Sequence, residues 1–424
     1  MTTEPGDALD KEKAKKVDRA EKKGFWQIFL EELTGQSVLI PILAILTGLI
    51  LGAIFIILTT EAVYTAPTFG QKALAAWETV RDSYVGLFTG AFGSPARMVA
   101  ALQGGDPLEI RRAFNPFLES LVATTPFIFT GLSVALGFRA GLFNIGAEGQ
   151  LFMGAIFAAF AGYSLVGLPA IIHIPLALLA GALGGALWGA IPGWLKAKTG
   201  AHEVINTIML NFIAFRLSEW LLSGPMKKPD SFNPVSPTIE ASARLPRFFA
   251  SPIRFHLGFF IALGVAWLIY WLLFRSKWGF DLRTVGANPR AARYAGMSIF
   301  WVTIIAMSLA GALAGLAGAN EVLGVNYNLA LAFSSGYGFD GIALALLGKS
   351  HPLGVVLAAL LFGTLRSGAV AMQLSAGVPN DIISILQALI LAFIAAPPII
   401  RTIYRLQAPR RDEGGLVLRG WRGS

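Results

Sequence analysis

The chain contains no cysteine, which excludes disulfides, thiolate metal sites and cysteine nucleophiles. Charge is scarce too. Asp, Glu, Lys and Arg make up 14% of its 424 residues, against roughly 25% in soluble globular domains. The four histidines, His173, His202, His256 and His351, are scattered without ligand spacing, so no metal site is expected. No GxxxxGK[ST] loop, HExxH pair or Ser/His/Asp set occurs, so the chain is expected to cradle no nucleotide phosphate and to catalyse nothing by itself.

Apolar sequence fills the space left by charge. Hydrophobic residues account for 55% of the chain and the mean hydropathy is +0.63. Apolar runs of spanning length occur at 38–58, 120–138, 257–274, Ile299–Asn320 and 382–400, and 149–195 is long enough for two spans with a turn at Gly167-Leu168-Pro169. Three weaker segments, 204–222, 336–348 and 352–372, carry polar residues such as Asn206, Asn211, Arg216, Asp340 and Arg366. The reading is an all-α polytopic membrane protein with about ten transmembrane helices, some of them discontinuous. Its expected layout is a Lys-rich cytoplasmic tail (1–37), a first transmembrane helix (38–59), an extracytoplasmic loop (60–115), a core (116–400) and a basic cytoplasmic tail (401–424).

The net charge is +9. Most lysines and arginines lie in the two tails and in the loops after alternate spans, as expected for cytoplasmic segments. The excess therefore speaks to orientation in membrane lipid, and no nucleic-acid partner is expected. The first apolar run exceeds signal-peptide length, so it is expected to remain in the mature protein. GxxxG spacings at Gly48/Gly52, Gly181/Gly185/Gly189 and Gly311/Gly315 read as close helix packing.

Four places carry chemistry. Residues 137–154, GFRAGLFNIGAEGQLFMG, mix glycines and polar groups with apolar side chains between two spans. A broken helix beside a pathway would look like this, and so would a simple turn. Segment 203–222 combines Glu203, Asn206 and Asn211 with an intramembrane Arg216, readable as interhelical glue or as pathway lining. Residues 320–340 join Glu321 to Tyr327, Tyr337 and Phe339, either at a pathway mouth or in an interfacial aromatic belt. The loop 275–298 is basic and structured: Asn288-Pro289 predicts a helix start, with Arg290 to Tyr294 exposed for a cytosolic partner.

Four motifs then fall into a known pattern. The runs GLFNIGAEGQ (141–150), HEVINTIMLN (202–211), GANPRAARYAG (286–296) and GYGFDGIA (336–343) resemble, in this order, bacterial ABC-transporter permeases of the nucleoside-uptake type, within the ribose/branched-chain-amino-acid importer permease family. The resemblance covers about residues 116–400. It implies a permease subunit of an ATP-driven importer in the bacterial inner membrane, with both termini cytoplasmic and nucleosides or related purine/pyrimidine compounds as cargo. Its implied partners are a cytosolic ABC ATPase that uses ATP and magnesium, a second and different permease subunit, and an extracytoplasmic substrate-binding lipoprotein. The permease itself is expected to hold no cofactor. Candidate pathway residues are Phe143, Asn144, Glu148, Gln150, Asn211, Glu321 and Tyr337. Candidate ATPase-coupling residues are Arg283, Asn288, Pro289, Arg290, Arg293 and Tyr294. Sugar or branched-chain amino-acid cargo, and an ion-coupled transporter acting alone, stand as the alternatives.

Overall fold

The computed structural model describes residues 36–406 apart from 230 and 380, so most of both tails lies outside the described residues. The chain is all-α. No β-strand occurs among the described residues, only two isolated bridges, Val235 with Ala330 and Arg247 with His256.

In chain order the helices are α1 (Gln36–Thr59), α2 (Glu61–Thr65), α3 (Phe69–Phe92), α4 (Pro95–Gly104), α5 (Pro107–Arg139), α6 (Ala147–Ser164), α7 (Ala170–Thr199) and α8 (Glu203–Ser223). There follow α9 (Gly258–Arg275), α10 (Lys277–Ala287), α11 (Pro289–Tyr294), α12 (Ile299–Asn320), a π-turn (Glu321–Asn326), α13 (Tyr337–Leu347), α14 (Pro352–Ala376), α15 (Asp381–Ala395) and α16 (Pro397–Ile403). Local sequence explains many boundaries. The Asp106 side chain accepts the Leu108 N–H ahead of Pro107 and starts α5, a donor-satisfying cap followed by proline in the first turn. Gly200, at φ 73°, ends α7 in the left-handed region that glycine enters without steric cost.

Several expectations need correction. Among the described residues six helices are long and apolar enough to cross a membrane, or eight if each of two bent pairs counts as one span; the expected ten spans are not confirmed. Polar residues are one reason: Glu148 and Gln150 dilute α6, and Asn206, Asn211, Arg216 and Glu219 dilute α8. Length is the other, since the 11 residues of α13 reach only about 16 Å at 1.5 Å per residue. Residues 60–115, expected as a loop, are largely helical: α3 and α4 form one of the bent pairs, at 45°. The run 382–400, expected as one span, is the other pair, broken between α15 and α16 by 89°, where Pro397 and Pro398 interrupt it and proline cannot continue a helix from before.

The described chain forms two compact units, 36–54 with 388–406, and 55–387. In the smaller, Ile40, Ala44 and Ile400 are buried together, and Thr47 Oγ1 lies 3.0 Å from the Tyr404 hydroxyl. In the larger, α7 and α12 meet backbone to backbone. A Cβ on Gly185 would lie 2.7 Å from Gly315 Cα, and one on Gly193 would lie 2.9 Å from Met307 Cβ. Gly154 of α6 abuts Gly315 in the same way. The small-residue spacing read from the sequence is therefore a close three-helix seam, which brings helix axes within reach of dispersion contact where lipid offers no hydrophobic drive. A second seam, absent from the sequence reading, joins Gly90 of α3 to Gly368 of α14. Phe127, Phe129, Leu132, Leu136, Leu151 and Phe362 fill the centre of the unit.

Candidate functional site

Two broken stretches converge within the larger unit. The first is 140–146, between α5 and α6; the second is 327–336, between the π-turn and α13. Glu148, in the first turn of α6, accepts a hydrogen bond through Oε2 from the Gly338 N–H in the first turn of α13, 2.6 Å away and 190 residues later in sequence. Gly338 leaves no room for a Cβ against the Glu148 backbone. Two helix N-termini thus meet with one carboxylate between them. Unpaired N–H groups and the helix dipoles make such ends electropositive, and Glu148 offsets both.

The break before α6 is closed by its own side chains. Asn144 Oδ1 accepts from the Gly146 N–H at 3.1 Å, and its Nδ2 donates to Gln150 Oε1 at 2.8 Å. Gln150 Nε2 donates back to Asn144 Oδ1 at 3.1 Å. From α8, Asn211 Oδ1 accepts from the Gly149 N–H at 2.8 Å while Nδ2 donates to the Ile145 carbonyl at 3.0 Å. All three amides are buried, and their hydrogen bonds go to backbone, to each other and, from Asn144 Nδ2 at 3.4 Å, to the Ser133 hydroxyl. They brace the irregular stretch, as buried polar groups inside a membrane protein must. Phe143 points away from this cluster: it is 38% exposed and lies against Phe138 at 5.1 Å.

Beside Glu148 lies an aromatic and charged wall. Tyr337 meets Phe127 edge to face, centroids 5.1 Å apart. The Arg366 guanidinium sits over the Tyr337 ring at 4.8 Å and over Phe127 at 5.7 Å. Its Nη1 is 3.7 Å from Asp340 Oδ2, with side chains 29% and 34% exposed, and Nη2 donates to the Ser335 carbonyl at 3.4 Å. An intramembrane arginine costs about 2.5–3.5 kcal/mol on insertion scales, while a loose, partly exposed ion pair returns about 0–1 kcal/mol. The two aromatic faces add about 0.5–2 kcal/mol each, so the groups around Arg366 offset most of that cost. Toward the other end, Arg254 grips Glu119 with Nε and Nη2 (3.1 and 2.6 Å to Oε2). That hydrogen bond foremost, with the field of Glu321 and Tyr337 behind it, raises the Arg254 pKa and keeps its charge. Glu321 itself is buried at the head of the π-turn, a helical irregularity frequent at functional sites.

The structure thus gathers Glu148, Tyr337 and Glu321 around one polar centre, places Asn144, Gln150 and Asn211 in its bracing, and leaves Phe143 outside it. Phe127, Arg366 and Asp340 belong to that centre and, like the Glu119–Arg254 pair, are absent from the candidates read from sequence. Arg366 carried a usable signal, a lone cation in an apolar helix. Glu119 and Arg254 did not, because loop arginines are ordinary.

The loop 275–298 folds as expected. Asn288 Oδ1 accepts from the Arg290 and Ala291 N–H groups, both at 3.1 Å, and Pro289 opens α11. Arg290 and Arg293 are exposed, and Tyr294 is 97% exposed. Arg283 is turned inward instead, 5.3 Å from the Phe274 ring, with Arg139 at 5.5 Å from the same ring. At this end Gly286 of α10 abuts the backbone of 139–141: a Cβ on Gly141 would lie 2.9 Å from Gly286 Cα. Arg139 Nε also donates to the Ser350 carbonyl at 2.9 Å, on the turn between α13 and α14. Among the described residues no three His, Asp or Glu side chains are grouped to hold a metal.

A bundle of apolar helices, two of them broken around a polar centre and one end carrying a short exposed helix, is the framework of a membrane transport subunit. Residues 117–395 match the family described as branched-chain amino acid transport system / permease component, and the chain belongs to that family. It is 39% identical over 370 residues to the guanosine ABC transporter permease protein NupP of Bacillus subtilis, covering 86% of this chain and 95% of that one. It is 34% identical over 377 residues to the nucleoside ABC transporter permease protein NupB of Lactococcus lactis subsp. cremoris, 87% and 93% of the two chains. It is 38% identical over 285 residues to the glucose ABC transporter permease protein TsgB13 of Haloferax volcanii, 65% and 75%. No solved structure matches.

Proposed function

We propose that the chain is the permease of an ABC importer for nucleosides, set in the bacterial inner membrane with both termini cytoplasmic. The observation that carries the transport reading is the meeting of two helix N-termini at Glu148, beside Tyr337, Arg366 and Asp340. Broken helices of this kind supply polar binding groups in the middle of a membrane. The nucleoside reading is supported by the two relatives that match over nearly their whole length. The glucose-named relative matches a shorter stretch and favours, as the second reading, a sugar.

The mechanism is alternating access driven from outside the chain. A cytosolic ATPase, using ATP and magnesium, docks on α11 through Arg290, Arg293 and Tyr294. Asn288 and Pro289 fix that helix, while Arg283 anchors the adjoining α10 on Phe274. Motion of α10 reaches the break at 139–146 through the Gly286–Gly141 contact and reaches α13 through Arg139 on the Ser350 carbonyl. Both paths end at Glu148 and Gly338, so one displacement shifts both walls of the polar centre. A second, different permease subunit completes the pore, and an extracytoplasmic binding lipoprotein delivers cargo. This chain binds no cofactor and its task is non-catalytic.

Mild-detergent purification of the tagged chain from its native membrane, followed by mass spectrometry, tests the assembly. Recovery of an ATPase, a second permease and a binding lipoprotein is expected. Repeated recovery of the chain alone would overturn the importer in favour of a self-contained transporter. Competition of uptake by unlabelled nucleosides but not by glucose separates the two cargo readings.

A further inference from the structure

We infer that Arg139 and Arg283, with Lys349 beside them, hold the headgroup of an anionic phospholipid at the end of the bundle that carries α11. The inference needs only the membrane-spanning bundle and is independent of the cargo.

Two guanidinium groups share one ring. Arg139 lies 5.5 Å and Arg283 5.3 Å from the centre of Phe274, in the last turn of α9. Like charges so placed repel, and a partly exposed ring returns little to each. Among the described residues neither arginine is paired with a carboxylate. A third cation is fixed at the same place. Lys349 and Ser350 adopt φ angles of 52° and 51°, a left-handed backbone uncommon outside glycine. Both of their carbonyls accept from Arg139, at 3.4 and 2.9 Å, which holds the turn against that arginine while Lys349 stays exposed. Donors are left over as well. Arg139 spends two N–H groups on those carbonyls and Arg283 one on the Gly279 carbonyl at 3.3 Å, out of the five on each guanidinium. The remainder suit a phosphate, which arginine takes through a planar fork.

The surroundings make that phosphate part of a lipid. Trp267, Trp271 and Phe274 recur at i, i+4 and i+7 and so share one face of α9, and both tryptophans are exposed. An apolar track therefore leads along the helix to the ring that bears the arginines, and acyl chains fit along it. Trp278, in the first turn of α10, is exposed just beyond. Tryptophans collect at the level of the lipid headgroups, and basic pockets between spans at that level take anionic ones. A free phosphate would use the guanidinium groups and leave the tryptophan track bare. Bound here, a headgroup joins α5, α10 and the turn before α14, three places whose cations otherwise repel.

The test uses the tagged chain, purified in mild detergent with the subunits that accompany it and placed in nanodiscs of phosphatidylcholine with or without phosphatidylglycerol. Native mass spectrometry reads the lipid retained, and heating reads the unfolding midpoint. The wild type is expected to retain phosphatidylglycerol in preference to phosphatidylcholine and to unfold at a higher midpoint in its presence. R283Q is expected to weaken that retention about fivefold, the equivalent of about 1 kcal/mol per basic residue, and to keep the wild-type midpoint in pure phosphatidylcholine. R283K, which retains the charge and loses the fork, is expected to fall between the two. The double variant R275Q/K277Q removes two other exposed cations at this end and is expected to change neither reading. No preference in the wild type overturns the inference, and so does undiminished preference in R283Q and R283K. An equal loss in R275Q/K277Q overturns it too, by assigning the preference to general surface charge. Inorganic phosphate that raises the midpoint in pure phosphatidylcholine as much as phosphatidylglycerol does overturns the lipid in favour of a free anion. R283Q that sheds an accompanying ATPase yet retains phosphatidylglycerol overturns it in favour of an acidic side chain of that partner.

Discussion

Glu148 shows how one side chain can hold two elements. Its carboxylate takes the Gly338 N–H at 2.6 Å while sitting in the first turn of α6, and hydrogen bonds to a charged group are worth about 1.5–3 kcal/mol. Glu148→Ala removes the acceptor and the charge together. Transport is expected to fall at least about tenfold with membrane abundance nearly unchanged, and Glu148→Gln, which still offers a carbonyl to Gly338, is expected to retain more. Uptake per unit of protein in the membrane checks this; an alanine variant that is simply degraded assigns Glu148 to the scaffold. The neighbouring amides differ in kind. Asn144, Gln150 and Asn211 look equally suited to touch cargo when read in sequence, yet each is closed on the backbone or on another amide. Composition tells which residues can hydrogen-bond, whereas only packing tells whether a partner already stands in front of them.

At the scale of helices, the interior is set by glycine. Gly154, Gly185 and Gly315 allow α6, α7 and α12 to touch along their backbones, and any side chain at Gly315 must push two helices apart. Overpacking of this kind costs about 1–3 kcal/mol for a methylene or two, and more where the obstacle is backbone. Gly315→Leu is therefore expected to lower membrane abundance severalfold and to expose the chain to trypsin. Gly264→Leu, on α9 where nothing lies within 4 Å of an added Cβ, is expected to do neither. Immunoblotting of membranes after limited proteolysis compares them. The GxxxG spacing on α7 and α12 was legible because it is a short-range pattern. The α3–α14 contact through Gly90 and Gly368 was not, since charges such as Lys72, Glu78 and Arg81 make α3 look like a loop until α14 is seen against it.

For the molecule as a whole, the proposed docking of an ATPase puts the entry of force at the exposed helix α11. Tyrosine and arginine anchors dominate binding at such surfaces, where a truncation costs about 2 kcal/mol or more. Replacing Arg290 by Glu and Tyr294 by Ala is expected to reduce ATPase co-purification and uptake about tenfold or more, with normal insertion. Quantifying the ATPase recovered per tagged permease measures it, and two variants that bind and transport normally would remove α11 from the coupling role. Apolar runs, caps and proline positions by themselves determined that this protein is a helical membrane bundle. They also placed α12 from Ile299 to Asn320 and started α11 at Pro289, because hydropathy and backbone capping act over a few residues. Only the tertiary structure decided that residues 60–115 are helical, that α15 and α16 part at 89°, and that Glu148 meets Gly338 beside Arg366. Those outcomes depend on which distant surfaces fit, and on where two broken helices leave N–H groups that a carboxylate from elsewhere must satisfy.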